Sequence, residues 1–272
     1  TMLPLAQELK RRGHRVTFIG IVGYEAKVLA AGLEFIGLGQ KEFPPGVMTE
    51  YLYHLSQLSG IPALRYVLTT ILKKEANALL QDTPQLIKDA GIDALLIDSV
   101  STGGATIATL MGMPWIKIHS VVVSHEENSI PPIFTNWKYN PAWWAKLRNK
   151  FEYRRSRGWS KPLTEVVSKY LDQWNLPLQP QPDTPNYQLA EISQQPAELE
   201  FPRVNLPEWF HFTGPYHYSG TREPVPFPWD KLTGQPLIYA SLGSLVNRFF
   251  DVFEKIAAAC EGLDAQLVIS LG

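Results

Sequence analysis

The chain has 272 residues, 45% hydrophobic and 11% aromatic, enough to bury one large core or two modest ones. A formal net charge of −1 excludes a globally basic nucleic-acid binder and an acidic tail, so any charged partner must be met locally. The one cysteine, Cys260, lies in the apolar run "IAAAC", which excludes an internal disulfide and points to a reducing, cytoplasmic setting.

The amino end, "TMLPLAQELKRRGH", is amphipathic rather than signal-like, and no apolar run reaches the roughly 18 residues that a membrane span needs. The chain is therefore expected to be neither secreted nor spanning. Leu3, Leu5, Ala6 and Leu9 share a helical face that Gly13 closes, and "HRVTFIG" follows as a strand. The helix "YEAKVLAAG" and the strand "LEFIGLG" repeat the unit, and helices are predicted from about Met48 to Ala90. The strand "DALLIDS", the helix "STGGATIATLMG" and the strand "PWIKIHS" come next. Short, nearly continuous apolar strands alternating with helices predict a doubly wound α/β domain around a parallel sheet.

Beyond Ser120, helices are expected over Trp143–Gly158 and Pro162–Asn175, followed by a proline-rich stretch and a short strand in "EWFHFTG". The linker "PYHYSGTREPVPFPWDKLTGQ" divides the chain into a domain at 1–215, a linker at 216–235 and the start of a second α/β domain at 236–272. That second domain holds the strand "PLIYASLGS", the helix "RFFDVFEKIAAACEG" and the strand "AQLVISLG". No internal repeat and no metal-ligand cluster is visible in the sequence.

Ligands of open α/β sheets collect at the carboxyl ends of the strands, so the residues ending each strand are the candidates. Asp98 ends "DALLID". It is either a carboxylate that orients a histidine base or the cap of the next helix. His119 and His125, at and after the end of "PWIKIH", either touch a substrate or are polar residues without a chemical task. Ser241, Gly243 and Ser244 form a small-residue turn between strand and helix, suited to a phosphate but equally to a plain tight turn, since neither a P-loop nor a dinucleotide fingerprint is present. The segment 137–161 combines four tryptophans with many Lys and Arg and a single acid, Glu152. It reads either as a surface resting on anionic lipid or as a helix packing its tryptophans inward with its cations solvated.

Taken together, "HFTGPY", the linker with Trp229, "PLIYASLGS" and "FEKIAAACEGLDAQLVISLG" resemble the domain junction of GT-B UDP-glycosyltransferases. Upstream, "TMLPLAQELKRRGHRVTFIG", "AKVLAAGLEFIGLG" and "DALLIDSVSTGGATIATLMGMPWI" are similar to the family's acceptor domain, and the bacterial macrolide and zeaxanthin glucosyltransferase types resemble the chain most. The resemblance implies a Rossmann-like acceptor domain plus the first strand-helix-strand of a second Rossmann-like domain. It implies inverting transfer from a UDP-sugar co-substrate, with no other cofactor and no metal, to an acceptor hydroxyl, and the apolar and aromatic content of the loops after the strands suggests a lipophilic acceptor such as a carotenoid, polyketide or lipid. Asp98 matches the aspartate that orients the family's histidine base, and that base is expected just before Thr1, in a chain truncated at both ends. Ser241, Gly243 and Ser244 match the turn that lines the donor diphosphate. Acceptor contacts are expected from Gly23, Tyr24, Phe43, Ser99, His119, Ser120 and His125 on the loops after the strands. The fragment alone is expected to be inactive, and a non-catalytic module for a lipophilic ligand or a partner is the competing reading.

Overall fold

In the computed structural model, residues 2–177, 187–218, 226–243, 247 and 249–271 are described. The chain forms two compact units: Thr1–Pro45 with Leu68–Thr221, and Gly46–Val67 with Arg222–Gly272. The grouping of Gly46–Val67 with the carboxyl-terminal part is absent from the division made on the sequence.

The first unit begins with α1 (Leu3–Arg11), β1 (Thr17–Ile21), α2 (Glu25–Ala30) and β2 (Glu34–Leu38). β1 and β2 pair in parallel, with Ile19 opposite Ile36. Ala6, Val28 and Leu33 are buried between the two helices and this sheet, joined by Val16, Phe18 and Phe35. This is the apolar periodicity of the sequence converted into a helix layer on a sheet face.

In the second unit, Gly46–Val67 holds the helices α3 (Val47–Ser56) and α4 (Gly60–Tyr66).

The first unit resumes with α5 (Leu72–Ala90), β3 (Leu95–Asp98), α6 (Gly104–Met111), β4 (Trp115–His119), α7 (Trp143–Ser156), α8 (Lys161–Gln173), β5 (Gln188–Ser193) and β6 (Phe210–Phe212). The strands run parallel in the order β3-β4-β5-β6. Leu80 and Ile87 of α5, Ile107 of α6, Met113 and Tyr170 of α8 form the main core. Gly103 and Gly104 let α6 approach this core closely. A Cβ on Gly104 would lie 2.5 Å from Ile97 Cγ2, and one on Gly103 2.9 Å from Leu80, with Gly103 at φ 103°.

The predicted helices over Trp143–Gly158 and Pro162–Asn175 are present as α7, its closing turn and α8. The strand β5 has no counterpart in the sequence reading, because "QLAEIS" carries buried Glu191 and Ser193 where a central strand ordinarily carries apolar residues.

The second unit is completed by β7 (Leu237–Ser241), α9 (Phe250–Cys260) and β8 (Gln266–Ser270), with β7 and β8 paired in parallel. Both strands and the helix lie where the sequence predicts them. Among the described residues, no helix is long and apolar enough to cross a membrane.

Candidate functional site

Asp98 sits at the carboxyl end of β3, and its backbone continues into the turn that leads to α6. Its Oδ1 accepts hydrogen bonds from the Ser120 hydroxyl at 2.9 Å and from the Val100 N–H at 3.0 Å. Among the described residues, no hydrogen bond reaches the other carboxylate oxygen. The capping alternative fails, because the residue preceding α6 is Gly103 in a left-handed conformation and no side chain caps the helix. Asp98 is instead an Asx-type turn whose carboxylate ties the ends of β3 and β4 together.

Glu75, on α5, is the residue that sequence reasoning missed. Burial, reinforced by the charge of Asp98, pushes its carboxyl up from the ordinary 4.5 to about 7. Glu75 in turn helps, after partial desolvation, to raise the Tyr24 phenol above its usual range. At the carboxyl end of this sheet Asp98, held by the Ser120 hydroxyl, thus interacts electrostatically with Glu75 of α5, which in turn influences the Tyr24 phenol after β1. One carboxyl titrates near neutrality, where proton transfer is most effective. The polar pattern of a 19-residue helix does not say which of its acids faces a distant strand end.

Gly23 and Tyr24 lie in an exposed turn directly after β1. Ser99 donates its N–H to Ile118 O at 2.8 Å, and its hydroxyl is buried without a partner. Phe43 is a core residue, 2% exposed. Tyr24, Val100, Val121 and Val122, which follow β1, β3 and β4, are instead the large apolar side chains left open to solvent at this end of the unit.

His119 and His125 meet, but around a third group. Both present Nε2 to Glu191 Oε1, His125 at 2.7 Å, and Lys117 Nζ lies 3.1 Å from the same oxygen. Burial would raise Glu191, yet the two imidazoles and the ammonium hold it well below the usual carboxylate range. His119 is 1% exposed and its Nδ1 is buried without a partner, so it is tied into the sheet rather than open to a ligand, whereas His125 remains partly accessible. His119, His125 and Glu191 offer three ligand atoms within 4.8 Å, a grouping absent from the sequence reading. The ammonium of Lys117 already neutralises the carboxylate there, and the donor set fits a hydrogen-bonded ionic clasp better than a divalent cation. Arg203 fixes the loop that carries His125, donating to His125 O at 2.7 Å and Val123 O at 2.8 Å.

In the second unit, Ser241 ends β7 and its Oγ accepts the Gly243 N–H at 3.2 Å. Gly243 has φ 82°, so the turn needs glycine and keeps small groups at the strand end. Ser244 lies outside the described residues. The turn stands in the position common to ligand sites of parallel sheets, with its Gly243 N–H engaged by Ser241.

Comparison with known proteins places this geometry in context. No family model matches the chain. It is 27% identical over 266 residues to zeaxanthin glucosyltransferase of Pantoea ananas, covering 98% of the chain and 61% of the relative. With the zeaxanthin glucosyltransferase of Pseudescherichia vulneris it shares 28% over 267 residues, 98% of the chain and 62% of the relative. The chain thus spans about three-fifths of the length of these curated relatives. Among solved structures, the calicheamicin glycosyltransferase CalG4 superposes with a TM-score of 0.60 at 20% identity, covering 100% of this chain and 60% of that one. The Streptomyces sp. SF2575 glycosyltransferase SsfS6, complexed with thymidine diphosphate, gives 0.58 at 16% identity, covering 99% and 63%. The parallel-sheet fold of the chain is therefore similar to that of GT-B glycosyltransferases.

Proposed function

We propose that this chain, which resembles GT-B glycosyltransferases in sequence and fold, is part of an enzyme that transfers a sugar from a UDP-sugar to a hydroxyl of a lipophilic acceptor with inversion. The observation that carries the reading is Asp98: a carboxylate at a strand end, with one oxygen held by Ser120 and Val100 and the other free of hydrogen bonds from the described residues. Such a group accepts the N–H of a histidine base, fixes its tautomer and stabilises the imidazolium formed as the acceptor hydroxyl loses its proton. In this reading the histidine is carried by sequence preceding Thr1. The deprotonated acceptor oxygen then attacks the anomeric carbon as the nucleoside diphosphate leaves.

The turn at Ser241 and Gly243 supports a diphosphate-binding role in the second unit, and SsfS6 binds thymidine diphosphate. A lipophilic acceptor is supported by the exposed Tyr24, Val100, Val121 and Val122 after the strands and by the similarity to zeaxanthin glucosyltransferases. A cytoplasmic enzyme in peripheral contact with a membrane through 137–161 belongs to the same reading, because such an acceptor partitions into lipid.

The test uses the chain with its flanking sequence restored, assayed for UDP release with a hydroxylated carotenoid. Asp98→Asn is expected to lower kcat by roughly 100-fold or more while leaving donor binding intact. Undiminished turnover in that variant would remove Asp98 from the mechanism.

A further inference from the structure

The helix α7 is inside out. Its inward face carries Ala145, Asn149, Glu152 and Tyr153, while Trp143, Leu147 and Phe151 are 73%, 56% and 68% exposed. These three recur at every fourth position, so they form one continuous stripe along the solvent side. An amphipathic helix ordinarily does the opposite, and a contiguous apolar stripe left in water marks a surface that meets a partner. The inward polar groups are satisfied: Asn149 donates to Asn128 O at 3.0 Å, and Glu152 accepts from Arg155 Nε at 2.8 Å. The helix is thus seated by Ala145, by Tyr153 and by the Asn149 contact to Asn128, and Trp143, Leu147 and Phe151 are held outward.

Charge identifies the partner. Lys146, Lys150 and Arg154 are exposed on the same side of α7, and no acid shares that side, since Glu152 is buried. Three neighbouring cations are engaged. Arg148 lies 4.1 Å from the Trp137 ring centre and 5.7 Å from that of Trp144, Arg155 binds Glu152, and Arg157 pairs with Glu126 at 2.5 Å. An apolar stripe of Trp, Leu and Phe flanked by free cations is complementary to an anionic bilayer. The rings enter the headgroup and acyl boundary there, and the cations meet lipid phosphates and carboxylates. A second copy is a poorer fit, because an isologous contact through α7 sets these cations against one another.

We infer that the outward face of α7, through Trp143, Leu147 and Phe151 with Lys146, Lys150 and Arg154, docks the protein on the surface of an anionic phospholipid membrane. This deepens the membrane part of the proposed function by naming the face and the lipid charge, and it needs no transfer step.

The experiment is flotation of the purified chain with phosphatidylserine-rich and with pure phosphatidylcholine vesicles, alongside sedimentation to follow self-association. The chain is expected to float with the anionic vesicles and to be released by salt. Neutralising Lys146, Lys150 and Arg154 to Gln is expected to weaken partitioning by roughly 100-fold, at about 1 kcal/mol per cation. Trp143→Ser, Leu147→Ser and Phe151→Ser together are expected to abolish it. All six positions are exposed, so circular dichroism should report an unchanged fold. Independently of these variants, a fluorophore on Leu147→Cys in a Cys260→Ser background is expected to shift to the blue when anionic vesicles are added. Equal binding to both vesicle types, unchanged flotation of the serine variant, or a change in oligomeric state in place of flotation would each overturn the assignment. Loss of flotation once flanking sequence is restored would do the same, showing that protein covers the stripe. None of these outcomes bears on UDP release, and inactivity of the restored enzyme leaves the flotation result standing.

Discussion

Replacing Glu75 by Gln tests the electrostatics of the strand-end site without touching Asp98. A carboxyl raised from 4.5 to about 7 keeps its proton in the folded chain over a range in which the unfolded chain has already lost it. Its contribution to stability is therefore intact at about pH 4.5, falls as pH rises toward 7, and is fully lost above that. The full difference is on the order of 3 kcal/mol, and the partial exposure of Glu75 reduces it to about 1–3 kcal/mol. The amide introduced by Glu75→Gln carries no charge at any pH and escapes this loss. The variant should match the parent in urea at about pH 5 and exceed it by about 1–3 kcal/mol near pH 8. A carbon-13 titration of the Glu75 carboxyl measures its midpoint directly. Asp98→Asn should lower that midpoint only part of the way, because burial is the larger cause and the Asp98 charge the smaller. A midpoint at the ordinary value, or a variant whose advantage is the same at both pH values, would refute the burial of Glu75, and a midpoint unmoved by Asp98→Asn would refute its coupling to Asp98.

Gly104→Ala should cost about 1–3 kcal/mol, read as a lower Tm, because the new Cβ would lie 2.5 Å from a methyl of Ile97, a β-branched side chain with little freedom to turn away. Glu191→Gln should destabilise the first unit by about 3 kcal/mol at neutral pH, since Lys117 loses its buried counter-charge. With its carboxyl held below the usual range, Glu191 contributes stability above the unfolded carboxylate range that is lost only as pH falls toward the folded value. The parent should thus be destabilised on acidification more steeply than the Glu191→Gln variant, and equal acid profiles in urea would count against the clasp.

The alternation of helix and strand was legible because the first strands are short apolar runs and their helices carry the inward stripe. Asp98 and the turn at Ser241 were legible for a related reason, as parallel sheets expose the residue that ends each strand. What escaped depends on contacts between distant segments. The strand β5 hides behind Glu191, tolerated inside a sheet only because Lys117, His119 and His125 converge on it from another strand and its loop. The same clasp explains why His119, placed correctly at a strand end, is not an open side chain. The helical span of α7 was readable from its composition, but not which face turns outward. That choice goes with contacts to a distant loop, where Asn149 donates to Asn128 O and the Tyr153 hydroxyl to Ile130 O, with Ala145 buried beside them.

The two carboxylate clusters of the first unit have opposite electrostatic characters. Around Glu191 an ammonium and two imidazoles converge on one oxygen, so the carboxylate stays ionised, and a further donor would have to displace one of these. At Asp98 the balance runs the other way: among the described residues only neutral donors reach its carboxylate, and Glu75 is raised by burial and, to a smaller extent, by the negative charge of Asp98. A site with surplus negative potential at a strand end stabilises a cation placed against it and raises the basicity of an imidazole. Under the proposed function, such a potential would favour proton abstraction from an acceptor hydroxyl by stabilising the imidazolium that forms.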